Sequence, residues 1–130
     1  MFESENIILP ESLSGTHSLE KIKLSAFLRP ETVVVGLNGQ SKQAVIDELI
    51  TAMDHAGLLL DRSQVREAVI ERERKLSTGL GHGIAVPHGK TTGVDRLVGA
   101  FGIHRTGIPF DAADGAPAKL FFMLISPKNI

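Results

Sequence analysis

The chain of 130 residues contains no cysteine, no tryptophan and no tyrosine. Without cysteine it can form neither a disulfide framework nor a thiolate metal site, and cysteine nucleophile chemistry is excluded. Six phenylalanines are the only aromatic side chains besides histidine, so stacking on nucleic-acid bases is poorly supplied. The formal net charge is −1, from 14 basic and 15 acidic residues. We therefore expect no attraction to nucleic acid.

The chain also lacks any apolar run near the roughly 20 residues that a membrane helix needs, and its N-terminus does not resemble a signal peptide. Membrane insertion is not expected, and the absence of disulfides fits a cytoplasmic protein. The length suits one domain with one core. The first residues show no clear periodicity, so residues 1–21 are predicted to be an N-terminal arm and residues 22–130 the folded domain.

Two amphipathic helices are predicted in the first half of the domain. Residues 31–35 are mostly valine between Pro30 and Gly36 and predict a buried strand. Ser41 can cap a helix over residues 42–56, with apolar residues at helical spacing. A second helix is predicted to begin near Asp61 or Ser63 and to end near Lys75.

The second half of the chain predicts strands separated by glycine-rich turns. A turn over residues 77–83 precedes a short strand over residues 84–86, which Pro87 should end. The apolar runs 97–103 and 120–125 predict strands covered on both faces, with a loop over residues 105–117 between them. Strands interleaved with helices indicate an α/β architecture. Because the chain stops just after a strand, one sheet face is expected to need cover from further C-terminal structure or from a partner.

Arg72 gives the first indication of a functional site. It is predicted to lie in the middle of the apolar stripe of the second helix, between Val69 and Leu76. An inward guanidinium is costly unless it meets an anion or a carboxylate.

His88 is the histidine whose position favours chemistry, although a structural role is an equal alternative from its residues alone. It lies between Pro87 and a glycine, which predicts a strained turn beyond a strand end, where ligands gather in α/β sheets. His17 and His55 are predicted to face solvent, and His104 to have a structural role.

Together these residues can support phosphoryl transfer. A neutral imidazole is a nucleophile near pH 7, and positive charge must meet the oxygens of the moving group. The Arg72 guanidinium can supply that charge as a bidentate fork. Ser77, Thr78 and the amide of Gly79 could add hydrogen bonds. The glycine turn lacks the spacing and lysine of a nucleotide-binding loop, so no nucleotide is predicted. No other cofactor is predicted, and no metal, since two histidines without a paired carboxylate are a poor ligand set.

One continuous segment resembles a known family. Arg72–Glu73 followed by Ser77–Thr78–Gly79–Leu80–Gly81–His82–Gly83–Ile84–Ala85–Val86–Pro87–His88–Gly89 is similar to the active-site signature of enzyme IIA domains. These domains belong to the bacterial phosphoenolpyruvate-dependent phosphotransferase system, mannitol/fructose class. The similarity extends over residues 24–127 and includes FLRPETVVV and FDAADGAPAKLFFMLISP.

The resemblance implies a phosphotransferase component with a mixed central sheet flanked by helices on both faces. His88 would accept the phosphoryl group on Nε2, with Nδ1 oriented by a backbone acceptor, and Arg72 would assist. The implied donor is a histidine-containing phosphocarrier protein. The implied acceptor or target is a permease IIB domain, a kinase or a transporter. The residues of the motif are most similar to those of the nitrogen-regulatory IIA branch. The alternative function is that of a sugar-specific IIA component.

The chain departs from the family pattern in two ways. Family members continue into two further helices, which are missing from this chain, so a homodimer or a heteromer would be expected to cover the exposed sheet. His82 occupies a position that is commonly small or polar, and it is either a simple exposed residue or a modulator of the site. Two other classes stay open: a binding module that has lost transfer, and, less favoured, a metal-dependent hydrolase using His82 and His88.

Overall fold

A computed structural model describes residues 28–129, so the predicted arm over residues 1–21 lies outside the described residues. The described part is a mixed α/β fold with one six-stranded sheet, which confirms the predicted fold class. A 3₁₀ turn at Pro30–Thr32 precedes the first strand. The other elements are β1 (Val33–Val35), α1 (Lys42–His55), α2 (Arg62–Lys75), β2 (Gly79–Gly81), β3 (Ile84–Ala85), β4 (His88–Lys90), β5 (Val98–Ile108) and β6 (Ala118–Ser126).

Both helices begin where the sequence predicts them. The Ser41 hydroxyl accepts a hydrogen bond from the Ala44 amide at the start of α1, and the Asp61 carboxylate accepts one from the Gln64 amide at the start of α2. These side chains satisfy backbone donors that have no partner within a helix. The inward residues of α1 are fully buried, namely Val45, Ile46, Leu49, Ile50 and Met53.

The sheet combines parallel and antiparallel pairs in the order β1-β5-β6-β3-β2, with β4 also pairing with β6. β1 runs parallel to β5, β5 is antiparallel to β6, and both β3 and β4 run parallel to β6. β5 continues to Ile108, so the loop predicted to begin at residue 105 begins later.

The two helices described pack on one face of the sheet, here called the helix-side face. Alternate residues of β5 and β6 are buried there with the helices, namely Val98, Ala100, Phe121, Met123 and Ile125. Gly102 lies on this face, and a Cβ atom added to it would lie 2.7 Å from Leu37 Cδ1 and 3.0 Å from Leu49 Cδ2 of α1. The hydrophobic core therefore fills the space between α1, α2 and this face.

The opposite side of the sheet, here called the second face, carries apolar side chains that water reaches. Val33, Val35, Ile84 and Leu120 are 38%, 71%, 37% and 39% exposed. The predicted buried strand at residues 31–35 is therefore wrong: β1 is a short edge strand, and residues 31 and 32 belong to the 3₁₀ turn. The prediction that the run 120–125 is covered on both faces is wrong at Leu120. That further structure or a partner covers this face stays a prediction.

β3 and β4 are two pieces of one interrupted strand along the edge of β6. Ile84 pairs with Leu120 and His88 pairs with Leu124, a constant offset of 36 residues. The interruption falls at Val86 and Pro87, where proline has no N–H to donate to the sheet. The Pro87 carbonyl still accepts a hydrogen bond from the Leu124 amide. Because the register is preserved, His88 and Ile84 lie on the second face.

Candidate functional site

His88 opens β4 on the second face and is half-buried. Its Nδ1 atom lies 2.9 Å from the Val86 carbonyl oxygen. A carbonyl can only accept, so Nδ1 carries the proton and donates it. In the neutral ring the free lone pair is then on Nε2. The backbone acceptor for Nδ1 that the family resemblance implies is present.

The prediction that His88 lies on a strained turn is wrong. This histidine is a strand residue, and the non-glycine residues with positive φ in the described part of the chain are His82 and Asp111. The sequence misleads here because a proline usually ends a strand, whereas this strand continues beyond Pro87 against the same partner.

The Val86 carbonyl is available to the ring because β6 does not use it. The Val86 amide donates to the Thr78 carbonyl, with an N–O distance of 3.0 Å. The N–H and C=O of one strand residue point to the same side, so the Val86 carbonyl also points away from β6. β2 extends only over Gly79–Gly81, so this carbonyl has no β2 partner and meets the imidazole instead.

Glu73 holds the segment that leads into β2. Its carboxylate accepts hydrogen bonds from both the amide and the hydroxyl of Thr78, the amide nitrogen lying 3.0 Å from Oε2. Both residues are buried, at 7% and 4% exposure. Neither the role of Glu73 nor its burial was predicted. The available signal was its spacing, four residues after Val69 and eight after Val65 on the buried side of α2.

The groups predicted to support phosphate binding organise the turn in this arrangement. The Ser77 hydroxyl donates to the Phe110 carbonyl and accepts from the Gly79 amide at 3.0 Å. The Thr78 hydroxyl donates to Glu73. The two hydroxyls and the Gly79 amide are thus engaged within the protein, and direct phosphate binding by them stays a prediction.

Arg72 is half-buried near the end of α2, and its guanidinium donates from Nη1 to the Leu76 carbonyl at 2.6 Å. The prediction that it lies in the middle of the apolar stripe is wrong. The buried residues of α2 are Val65, Val69, Ile70 and Glu73, so the neighbouring residue occupies that position. The guanidinium instead lies at the margin of the helix, where one hydrogen bond to a carbonyl leaves its other donors for a ligand.

The course of the chain after β4 brings His88 toward the last turns of α2. A Cβ atom added to Gly89 would lie 3.2 Å from the carbonyl carbon of Ala68, and one added to Gly93 would lie 2.7 Å from the Asp61 carbonyl oxygen. The segment from residue 89 to residue 93 therefore runs toward the N-terminus of α2. One residue before Gly89, the His88 backbone lies toward the C-terminal end of the helix, which carries Arg72, but the His88 side chain lies on the face of the sheet opposite the helices. An approach of the Arg72 guanidinium to the imidazole therefore stays a prediction.

Lys42, at the start of α1, connects Glu73 to the following loop. Its Nζ lies 3.1 Å from Glu73 Oε2 and 2.9 Å from Asp111 Oδ2, and 4.8 Å from the centre of the Phe110 ring. Burial opposes its charge, but hydrogen bonds to Asp111 and Glu73 outweigh burial and raise the pKa of Lys42. The hydrogen bond from Lys42, with its charge, lowers the pKa of Asp111.

The other described histidines lie in different environments. His104 is buried, accepts a hydrogen bond from the Gly107 amide on Nδ1 and donates from Nε2 to the Gly39 carbonyl, which supports the predicted structural role. His55 is exposed in the last turn of α1. His82 is exposed at a φ of 56°, and its amide donates to Asp114, whose pKa this backbone hydrogen bond lowers.

Two further findings concern residues 28–129 only. No helix there has the length and apolar character required to cross a bilayer. No cluster of three or more histidine, aspartate or glutamate side chains there is arranged to hold a metal ion.

Comparison with known proteins identifies the family. Residues 26–130 match the family described as "Phosphoenolpyruvate-dependent sugar phosphotransferase system, EIIA 2". Since the match covers most of the chain, this protein belongs to that phosphotransferase-system family, and the resemblance noted from the sequence is confirmed.

Relatives come from both the sugar-specific and the nitrogen-regulatory branches. The chain is 41% identical over 108 residues to the fructose-specific EIIABC component of Bacillus subtilis (strain 168). The match covers 83% of this chain but only 17% of that protein. The chain is 38% identical over 115 residues to the nitrogen regulatory protein of Escherichia coli (strain K12), covering 88% of this chain and 70% of that one. Sequence identity therefore does not separate the two branches.

Solved structures agree with the fold. The nitrogen regulatory protein IIA-Ntr from Neisseria meningitidis superposes with a TM-score of 0.74 and 35% identity, over 82% of this chain and 72% of that one. The IIA mannitol domain of Escherichia coli, solved in complex with phosphorylated IIB mannitol, gives a TM-score of 0.68 at 23% identity, over 78% and 72% of the two chains. The latter likeness shows the fold alone.

Proposed function

We propose that this chain is a phosphoryl carrier that accepts a phosphoryl group on Nε2 of His88 and transfers it to a partner protein, or signals by its phosphorylation state. The observation that carries the proposal is the hydrogen bond from His88 Nδ1 to the Val86 carbonyl. With the one nitrogen-bound proton of the neutral imidazole on Nδ1, a lone pair is left on Nε2. Family membership supports a phosphotransferase role.

The transfer needs no proton to leave the attacking atom. The Nε2 lone pair forms a bond to phosphorus while the bond between phosphorus and the donor's phosphohistidine nitrogen breaks, and that electron pair stays on the donor imidazole. The Nδ1 proton remains on His88, where the Val86 carbonyl stabilises the positive charge that the ring gains. Arg72 is proposed to meet the equatorial oxygens, because such transfers depend mainly on positioning and electrostatics.

The proposed donor is a histidine-containing phosphocarrier protein. The proposed recipient or target is a kinase or transporter of a nitrogen-regulatory pathway, and this role would place the chain in the cytoplasm. The likeness to the Neisseria IIA-Ntr protein supports this branch. The second candidate is a sugar-specific component that passes the group to a IIB domain, as the Bacillus relative and the IIA mannitol complex suggest.

The test is labelling with radioactive phosphoenolpyruvate in the presence of enzyme I and the phosphocarrier protein. We expect acid-labile, base-stable label, and NMR coupling between phosphorus and Nε2 of His88. His88→Ala should abolish the label, while His55→Ala, which removes an exposed histidine of α1, should keep it. Arg72→Ala should slow labelling about 10²-fold or more, since one aligned charged donor is removed.

Label that persists in His88→Ala would show that the site is wrong. If the wild-type chain takes no label although the donor is phosphorylated, the phosphoryl-carrier proposal is wrong and a binding module of the same fold is the better description.

A further inference from the structure

Glu73 is a charged residue in a position that packing alone would fill with an apolar one. It follows Val69 and Ile70 on the buried side of α2, and its side chain is only 5% exposed. A buried carboxylate is unfavourable unless it is paired and hydrogen-bonded. Here Lys42 supplies the opposite charge, and the amide and hydroxyl of Thr78 supply two further hydrogen bonds.

A short path of hydrogen bonds leads from this carboxylate to the proposed nucleophile. Glu73 fixes the main chain of Thr78, and the Thr78 carbonyl accepts the Val86 amide at 3.0 Å. The Val86 carbonyl then accepts the Nδ1 proton of His88 at 2.9 Å. The path passes through backbone groups of two buried residues, so a shift of Thr78 moves the acceptor of the imidazole proton.

We propose that Glu73 is a positioning residue that sets the tautomer of His88. By holding Thr78 it keeps the Val86 carbonyl in place for Nδ1, and so keeps the lone pair on Nε2. This inference rests on the proposed function for its purpose, but the tautomer itself is a property of the unphosphorylated protein. Glu73 touches neither the imidazole nor any group that reacts, so it acts only through the backbone.

A merely structural role for Glu73 makes a different prediction. Loss of a buried ion pair would lower stability wherever it occurs, but it would not by itself change which ring nitrogen carries the proton. The proton position in a folded variant therefore separates the two roles. Without a fixed acceptor at Nδ1, both neutral tautomers become populated.

The experiment measures the ¹⁵N shifts of both ring nitrogens of His88 by NMR, in the range of pH above which these shifts no longer change, so that only the neutral ring is observed. Glu73→Leu removes the carboxylate with little change of volume, and Thr78→Val removes only the hydroxyl contact. Ile50→Ala, a fully buried residue of α1, is the matched control that lowers stability elsewhere in the core. Circular dichroism checks that each variant is folded.

In the wild type and in Ile50→Ala we expect the proton to remain on Nδ1. In Glu73→Leu the ratio of the Nδ1-protonated to the Nε2-protonated form should fall about tenfold, the effect of losing one ordinary hydrogen bond. Thr78→Val should give a smaller shift in the same direction, and it carries the test if Glu73→Leu does not fold. A ratio unchanged in the folded variants overturns the inference, even if their labelling is slow. A wild-type chain that shows the Nδ1 tautomer but takes no label would refute the proposed function and leave this inference standing.

Discussion

Removing Lys42 from its ion pair with Glu73 should destabilise the fold far more than breaking a surface ion pair of similar geometry. We consider Lys42→Met, because methionine keeps an apolar stem against the Phe110 ring while removing the ammonium group. The variant leaves the Glu73 carboxylate, 5% exposed, with only the donors of Thr78.

The magnitude follows from the burial of the two partners. Breaking a fully buried pair costs about 3–5 kcal/mol, because the remaining charge is unpaired in a medium of low polarity. The Lys42 side chain is 23% exposed, so water can reach the position it vacates, and we reduce the expected loss to about 2–3 kcal/mol. For a domain of this size, about 4 °C per kcal/mol gives a fall of about 10 °C in the unfolding midpoint.

The assay is thermal unfolding followed by circular dichroism, with a double-mutant cycle. Lys42→Met combined with Glu73→Leu removes both charges, so the double variant should be less destabilised than the sum of the two single changes. Arg66→Met is the control, since Arg66 pairs with Asp47 at 2.7 Å but both side chains are 37% exposed or more. That change should have a much smaller effect, because water screens an exposed pair.

The pH dependence of the unfolding free energy is a second, independent test of the contribution of Lys42. The pKa of Lys42 is raised above the unfolded value of 10.5, with burial opposing the charge and the bonds to Asp111 and Glu73 prevailing. Its contribution to stability is therefore complete below the unfolded pKa and is lost as pH rises through the folded pKa. The difference between the wild type and Lys42→Met should narrow above about pH 10.5. If Lys42→Met costs no more than Arg66→Met near pH 7, burial of Glu73 does not strengthen the pair and the reasoning fails.

Two further changes test close contacts elsewhere in the fold. His104→Leu should lower the unfolding free energy by about 2–5 kcal/mol in chemical denaturation, because the Gly39 carbonyl and the Gly107 amide lose their buried partner; an unchanged midpoint would contradict this. Gly93→Ala should cost about 1–3 kcal/mol, since the new methyl group would lie 2.7 Å from the Asp61 carbonyl oxygen. Hydrogen exchange at the start of α2 should rise in this second variant, and protection equal to that of the wild type would show that the loop yields without strain.

The helices and their starts were predictable because local chemistry determines them. Ser41 and Asp61 are capping residues followed by apolar residues at helical spacing, and both caps are present. The exposed edge position of β1 was not predictable in this way. Three consecutive valines indicate a strand, but whether that strand is central or at an edge depends on the order of strands in the sheet, and here it is at the edge.

The candidate site shows a similar division. The motif predicted His88 as the nucleophile, which stays a prediction, and the resemblance indicated a backbone acceptor for Nδ1, which proves to be the Val86 carbonyl. The assignment of the inward position of α2 to Arg72 was wrong by one residue. A shift of 100° exchanges a half-buried guanidinium for the buried carboxylate of Glu73, and the partners that make that burial tolerable lie 31 residues before it and five after it. Such long-range pairing is not visible in local spacing.

The constant offset between the interrupted strand and β6 makes the length of the segment before His88 critical. Side chains alternate between the two faces, so one residue inserted or deleted between Ala85 and His88, with the rest of the pairing kept, would turn the imidazole toward α2 and the core. A substitution in this segment changes one side chain and keeps the register, whereas a change in length moves the ring to the opposite face of the sheet. An insertion or deletion scan of this segment would therefore separate the spacing of the motif from its residue identities.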